Sequence, residues 1–181
     1  QDCRHTFSIV SAPYQDELVV ATRMRDTAFK RSLGALPVGS TIGMDGPFGS
    51  LTLHKNASRP AVLIAGGIGI TPFMSMVRQA AQDQAARDLL LIYSNRRPQD
   101  AAFLAELQQL RKKNPRFRLV PTMTDMEHSS EPWAGQTRMI DSELILSATQ
   151  DLPASIFCRA GPPAMVEAGR QALVDAGMDE N

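Results

Sequence analysis

Ala61-Val62-Leu63-Ile64-Ala65-Gly66-Gly67-Ile68-Gly69-Ile70-Thr71-Pro72 is the stretch whose reading decides the fold. The apolar run is too short for a typical helix and ends in glycines, so it reads as a buried strand entering a tight turn. Thr71 can accept a backbone N–H as N-cap and Pro72 suits the first helical position, which predicts a helix with Phe73, Val77 and Ala80 on its inner face. Strand, glycine turn and helix start together form a seat for an anion: glycines let backbone approach closely, and unpaired N–H groups with the helix dipole favour negative charge. A nucleotide diphosphate is the predicted occupant. An ordinary strand-to-helix turn uses the same residue types, and proline stands where the usual dinucleotide fingerprint has its third glycine.

Outward from this turn the chain changes character. Ala61 to Ala65, Leu89 to Ser94, Arg116 to Val120 and Ser155 to Cys158 read as strands, with helices between them. The clearest helix is Asp100 to Lys112, where Phe103, Leu104, Leu107 and Leu110 recur at helical spacing and Arg111-Lys112-Lys113 closes the last turn. This alternation predicts right-handed crossovers and an α/β fold: a parallel nucleotide-binding sheet with helices on both faces. Before Arg59-Pro60 the pattern differs. Phe7 to Ser11, Glu17 to Met24 and Thr41 to Met44 have strand character, with one short helix from Thr27 to Leu36, and the region reads as antiparallel. The expected division is residues 1–58 and 59–181.

At 181 residues the chain can bury roughly 70% of its unfolded surface. Lys plus Arg equals Asp plus Glu at 19 each, so no bulk field draws it to nucleic acid or an anionic membrane. No apolar run reaches the roughly 20 residues of a bilayer span. The 2 cysteines, Cys3 and Cys158, are too few for a disulfide framework, and His5, His54 and His128 show no metal-ligand spacing. The expectation is a cytoplasmic protein without a metal site.

In open α/β sheets, ligands sit beyond the carboxyl ends of the strands. Four clusters follow the candidate strands: Gly66 to Thr71, Ser94 to Arg97, Thr122 to Asp125, and Ala160 to Pro163. The second has no acidic residue to hold a free ribose 2′-hydroxyl, while Arg96 and Arg97 offer guanidinium groups suited to a phosphate. That favours NADPH, with NADH as the alternative; two solvated arginines in a polar loop would look the same.

Taken with the preceding segment, these residues resemble the ferredoxin–NADP reductase family, in which a flavin-binding antiparallel barrel precedes a nicotinamide-binding α/β domain. The resemblance rests on His5-Thr6-Phe7-Ser8-Ile9, Gly46-Pro47-Phe48-Gly49, Gly66 to Pro72 and Ala160-Gly161-Pro162-Pro163-Ala164-Met165, in that order. It implies an FAD-dependent oxidoreductase that takes hydride from NAD(P)H and passes electrons to a ferredoxin, a flavodoxin or an oxygenase component. It places Phe7 against the flavin and the Ser8 hydroxyl at the hydride-accepting atom, making Ser8 the catalytic candidate. His5, Ala21, Thr22 and Arg23 would border the flavin, and Ala28, Phe29 and Lys30 would hold its diphosphate. Gly67 and Gly69 would seat the nicotinamide coenzyme's diphosphate, and Asn95, Arg96, Thr124 and Arg138 would surround its adenosine phosphate. Ala160, Gly161 and Pro162 would lie near the nicotinamide, and Thr71 would touch both cofactors.

The match departs from the family in places. His5 stands where the flavin motif usually has arginine, Ala160 where relatives often have cysteine, and Cys158 is expected inside the strand as a buried thiol. About three candidate strands precede Pro60, too few to close the family barrel. The expectation is therefore a partial barrel whose open edges call for a missing segment or a second copy of the chain. A non-catalytic NAD(P)-binding module that has lost FAD binding is the alternative.

Overall fold

The computed structural model describes residues 4–178. Ala61–Gly66 forms β1, buried at every position. Leu89–Asn95 forms β2, Phe117–Met123 forms β3 and Ile156–Ala160 forms β4. The four strands make one parallel sheet in the order β3-β2-β1-β4. The helices are α1 (Ala28–Ala35), α2 (Thr71–Gln82), α3 (Leu104–Lys113), α4 (Ser142–Thr149) and α5 (Pro163–Asp175).

Strand side chains alternate between two cores because successive residues point to opposite faces. Leu63, Ala65, Leu91 and Tyr93 meet Phe73, Met74 and Val77 of α2 and Leu107 and Leu110 of α3. Val62, Ile64, Leu90 and Ile92 meet Leu144 and Ile145 of α4 and Ala172 and Leu173 of α5. Helices thus cover both faces, as the alternation of strand and helix predicts, and this double burial explains why β1 and β2 read as unbroken apolar runs. Each fully buried leucine here contributes about 1.5–3 kcal/mol through area removed from water.

Several local expectations need correction. Thr71 does not cap α2: Ile70 occupies the N-cap after a 3-10 turn over Gly67–Ile70, and Thr71 is already helical. The Thr71 hydroxyl instead donates to the Ile68 carbonyl at 3.1 Å. The helix expected from Asp100 begins only at Leu104. Pro98–Asp100 is a separate 3-10 turn, and Phe103 adopts φ 62°, which interrupts the helical path. β3 runs past Val120 through Pro121 to Met123. It is an edge strand, and the Met123 N–H donates outward to Gln136 O at 2.9 Å. Pro121, two residues earlier, therefore points its nitrogen to that same outer side, where no sheet bond is lost. β4 is shifted to Ile156–Ala160, which places Ala160 within the strand. Cys158 lies in β4 as expected, half-buried, and burial pushes its thiol pKa up.

Ahead of β1, α1 forms as expected, with the Thr27 hydroxyl accepting the Lys30 N–H at 3.3 Å. The three expected strands do not form ladders. Their antiparallel pairing is confined to a bridge between Ile9 and Val20, with Val10 N–H donating to Val19 O at 2.8 Å. Residues 41–44 join no strand among the described residues, and Ile42 and Met44 are each 62% exposed. Two extended segments are marginal on their own, and this pair is held by packing of Val10, Val19 and Ala21 against the first core. Val10 alone is driven fully into the first core. No helix among the described residues is long and apolar enough to cross a membrane.

Candidate functional site

The carboxyl ends of β1 and β4 meet at backbone distance. A Cβ on Gly69 would lie 2.6 Å from both the Ala160 carbonyl carbon and Gly161 Cα. A Cβ on Gly66 or on Gly161 would lie 3.0 Å from the Met165 sulfur. The turn from Gly67 to Ile70 is thus seated directly on the end of β4, and Gly67 enters it with φ +53°. Among the described residues no side chain caps the amides at the start of this turn or of α2, and neither first turn contains an acid. Uncapped N–H groups and the positive end of the α2 dipole therefore face the crevice above the sheet.

Tyr93, on β2, braces the turn from below. Its hydroxyl shares one proton between Gly67 O at 3.2 Å and Ala102 O at 3.0 Å. Burial pushes the phenol up to about 12, so the proton stays in place at neutral pH. Asn95, at the end of β2, accepts the Thr124 N–H on its carbonyl at 2.9 Å, and its buried side-chain amide lies beside the Tyr93 hydroxyl, on which it acts against the effect of burial.

The rim is a chain of ion pairs. Arg96 meets Asp125 at 2.8 Å, His128 meets the same carboxylate at 2.6 Å, and Arg97 meets Asp100 at 2.7 Å. The hydrogen bond from His128, then that from Arg96, holds the Asp125 carboxyl below its ordinary range; Arg97 does the same for Asp100. Arg138 is committed to Glu143 and Asp141 at 2.8 and 2.6 Å, which raises its pKa. The arginines singled out in the sequence are therefore present at the rim, each balanced by a carboxylate.

Arg23 crosses from the amino-terminal segment to this rim. Its Nη2 donates to Asp100 O at 2.9 Å and would stand 3.7 Å from a Cβ on Gly67. Behind it, the residues expected around a flavin gather into one cluster. His5 and Phe29 ring centroids are 3.8 Å apart, and Phe7 stacks on Phe29 at 5.9 Å. The Lys30 ammonium lies 5.1 Å from the Phe7 centroid and bonds the Thr22 hydroxyl. Ser8 is exposed next to half-buried Phe7, and Ala21 packs against the first core. Of the amides expected from Ala28, Phe29 and Lys30, that of Lys30 is already taken by Thr27. Of the other members of the set, Thr124, Ala160, Gly161 and Pro162 sit at the carboxyl ends of the parallel strands or in the turns that follow, and Thr71 is the first residue of α2.

Sequence reading missed Tyr93 and Asp100 as site residues, and it placed Asp125 in a post-strand cluster without seeing that it pairs with Arg96 and His128. A hydroxyl on an otherwise apolar buried strand is the one signal that could have marked Tyr93, because a buried phenol needs an acceptor. Trp133, by contrast, is the local anchor its loop suggests: its indole N–H donates to Gln136 O at 2.8 Å, and its ring leaves no room for a Cβ on Gly135.

The model of the family described as the oxidoreductase NAD-binding domain matches residues 63–171. The glycine betaine monooxygenase reductase subunit of Chromohalobacter salexigens is 33% identical over 93% of this chain and 46% of its own length. Reductase component 2 of terephthalate 1,2-dioxygenase from Comamonas sp is 25% identical over 96% of this chain and 51% of its own length. The chain spans about half the length of these curated relatives. Among solved structures, a ferredoxin NADP+ reductase from Neisseria gonorrhoeae with bound FAD and NADP superposes with a TM-score of 0.74 at 26% identity, covering 94% of this chain and 72% of that one.

Proposed function

We propose that this chain, which belongs to the oxidoreductase NAD-binding domain family, serves as the NAD(P)H-oxidising part of an FAD-dependent electron-transfer reductase. The observation that carries this reading is the uncapped amide turn of Gly67–Ile70 lying against Ala160 and Gly161. It offers donors to a diphosphate and, on the same side of the sheet, a surface of small residues against which a flat ring can lie.

In this reading the backbone at Gly67 and Gly69 holds the diphosphate of the dinucleotide. Asn95, Arg96, Thr124 and Arg138 take the adenosine end, with Arg96 and Arg138 exchanging carboxylates for phosphate. Ala160, Gly161 and Pro162 flank the nicotinamide, and Thr71 stands between the two cofactors. On the other side His5, Phe7, Ala21, Thr22 and Arg23 border the flavin, and Ala28, Phe29 and Lys30 lie at its diphosphate. FAD, when bound, would supply the hydride acceptor and the release of single electrons. Ser8 orients and polarises at the reacting edge, and the protein's remaining contribution is to hold two rings in register and keep water out. Proximity and orientation of that kind lower barriers by roughly 7–11 kcal/mol in favourable cases without a strong acid or base.

Residues 1–58 would provide the flavin side and residues 59–181 the nucleotide side. The names of the relatives support an oxygenase component as the electron acceptor, with a ferredoxin or flavodoxin as the other candidates. A second reading, a nucleotide-binding module without turnover, draws support from residues 37–60, which form no helix or strand. Calorimetry with NADPH and NADH, followed by addition of FAD, separates the two. The reductase reading requires a flavin absorption band that NAD(P)H bleaches. Nucleotide binding without FAD binding would favour the second reading, and binding of neither nucleotide by folded protein would refute both.

A further inference from the structure

Arg78 lies on α2 with its side chain only 12% exposed, and its guanidinium bonds two residues, one of them bidentately. Nε and Nη2 donate to the two oxygens of Glu106 on α3 at 2.7 and 2.8 Å. Nη1 donates to the carbonyl of Val10 at 2.9 Å. The guanidinium carbon also sits 5.8 Å from the centroid of the Phe103 ring. Only a planar fork with five donors meets a carboxylate bidentately and a third acceptor at once; a lysine ammonium cannot.

The bond to Val10 is the informative one. Joining α2 to α3 needs only Glu106, yet Arg78 also reaches into the amino-terminal segment, two residues beyond Ser8. Val10 is fully buried and its N–H is taken by Val19, so the Arg78 bond fixes the carbonyl of the residue at which this segment enters the first core. The start of α3 is at the same time the reference for the glycine turn, because Tyr93 bonds both Ala102 O and Gly67 O. The two sides of the crevice therefore hang from one frame, residues 102–106.

We infer that Arg78 is a positioning residue that sets the register of the Phe7–Val10 segment against the nucleotide-binding turn. The inference rests on the proposed reductase reading for its functional consequence, since that segment carries the flavin-side residues Phe7 and Ser8. Arg78 touches neither the glycine turn nor Ser8; it acts through the Val10 carbonyl.

The test compares Arg78→Met, which keeps the apolar stem, with Arg78→Lys and with Glu106→Gln, which loses the carboxylate charge but leaves the Val10 bond. Amide hydrogen exchange over residues 7–20, NADPH affinity and the rate of flavin reduction are measured for each. In Arg78→Met, exchange over residues 7–20 should accelerate about tenfold, and flavin reduction should slow by roughly 10- to 100-fold while NADPH affinity stays within about twofold. Arg78→Lys should fall between, and Glu106→Gln should keep the parent's exchange and most of its rate. If Glu106→Gln matches Arg78→Met in every measurement, the arginine merely joins two helices and the inference is overturned; unchanged exchange in Arg78→Met overturns it as well. Should Arg78→Met fail to fold, Arg78→Lys carries the same comparison. If the parent protein is not reduced by NAD(P)H, the reductase reading fails, and the exchange comparison alone then decides whether Arg78 sets this segment.

Discussion

Replacing Gly69 with alanine tests whether the glycine turn is held by packing against β4. The new methyl would stand closest to the Ala160 carbonyl oxygen and 2.6 Å from Ala160 C and Gly161 Cα, for the two carbons about 1 Å inside ordinary van der Waals separation. All these obstacles are main chain, so no rotamer change relieves the clash; the turn must lift away from the end of β4. Overpacking costs about 1–3 kcal/mol, and a backbone obstacle places this variant at the upper end. For a chain of this size that corresponds to a fall in Tm of roughly 6–12 °C. Lifting the turn also separates its amides from Gly161, so NADPH affinity should drop at least about tenfold, near 1.4 kcal/mol. Two controls sort the causes. Gly67→Ala meets only an ordinary contact at 3.7 Å but sits at φ +53°, so it should cost about 1–2 kcal/mol from backbone strain. Gly43→Ala has nothing within 4 Å and no positive φ, and should be silent. Scanning calorimetry and NADPH titration on the three variants give the order; a Gly69→Ala protein indistinguishable from Gly43→Ala in both would refute the packing argument.

Tyr93→Phe leaves the Gly67 and Ala102 carbonyls without their donor and should cost about 1–3 kcal/mol by thermal melt, with weaker nucleotide binding. Changing Arg96 and Arg97 to alanine should erode preference for NADPH over NADH in paired titrations; an unaltered ratio would return both to ordinary surface ion pairs. Ser8→Ala should slow flavin reduction with nucleotide affinity nearly unchanged, as read by stopped-flow absorbance. Asp141 caps α4 through the Leu144 N–H and is bonded by Arg138, and both effects hold its carboxyl below the ordinary value. Its stabilisation is therefore complete above the ordinary carboxylate range, near pH 4, and is lost as pH falls through the native value. Asp141→Asn should flatten the pH dependence of urea midpoints in that acidic window and leave its shape at neutral pH unchanged.

Much of the α/β half was legible because its signals are local. Burial on both faces forces continuous apolar strands, and helical spacing marks Phe73, Val77, Leu107 and Leu110. Errors cluster where one residue's backbone overrides the pattern, as at Phe103, whose left-handed conformation delays α3, or where position in the sheet decides, as at Pro121. The amino-terminal segment misled for a different reason. Val19, Val20, Ile42 and Met44 have strand-forming side chains, but a ladder is a property of two segments, and propensity says nothing about whether a partner lies alongside. In the candidate site, the glycines and small residues were readable from one stretch each. Tyr93 and the Arg23 to Asp100 contact were not, because they join positions 26 and 77 apart in the chain.

Two forces select glycine in this turn, and they act at different positions. At Gly69 any side chain collides with β4, so glycine is required by the sheet whether or not a ligand is bound. At Gly67 the space is open to within 3.7 Å of Arg23 and only the positive φ favours glycine. Asparagine tolerates that conformation better than alanine, so Gly67→Asn should fold nearly as well as the parent while projecting a side chain towards the crevice. A motif chosen for packing alone would then keep its nucleotide affinity in Gly67→Asn and lose it in Gly69→Ala. A motif that also cradles a diphosphate loses affinity in both, because the added side chain occupies the approach to the amides. Affinity of Gly67→Asn for NADPH, measured beside its melting temperature, therefore separates the glycine that builds the sheet from the one that admits the ligand.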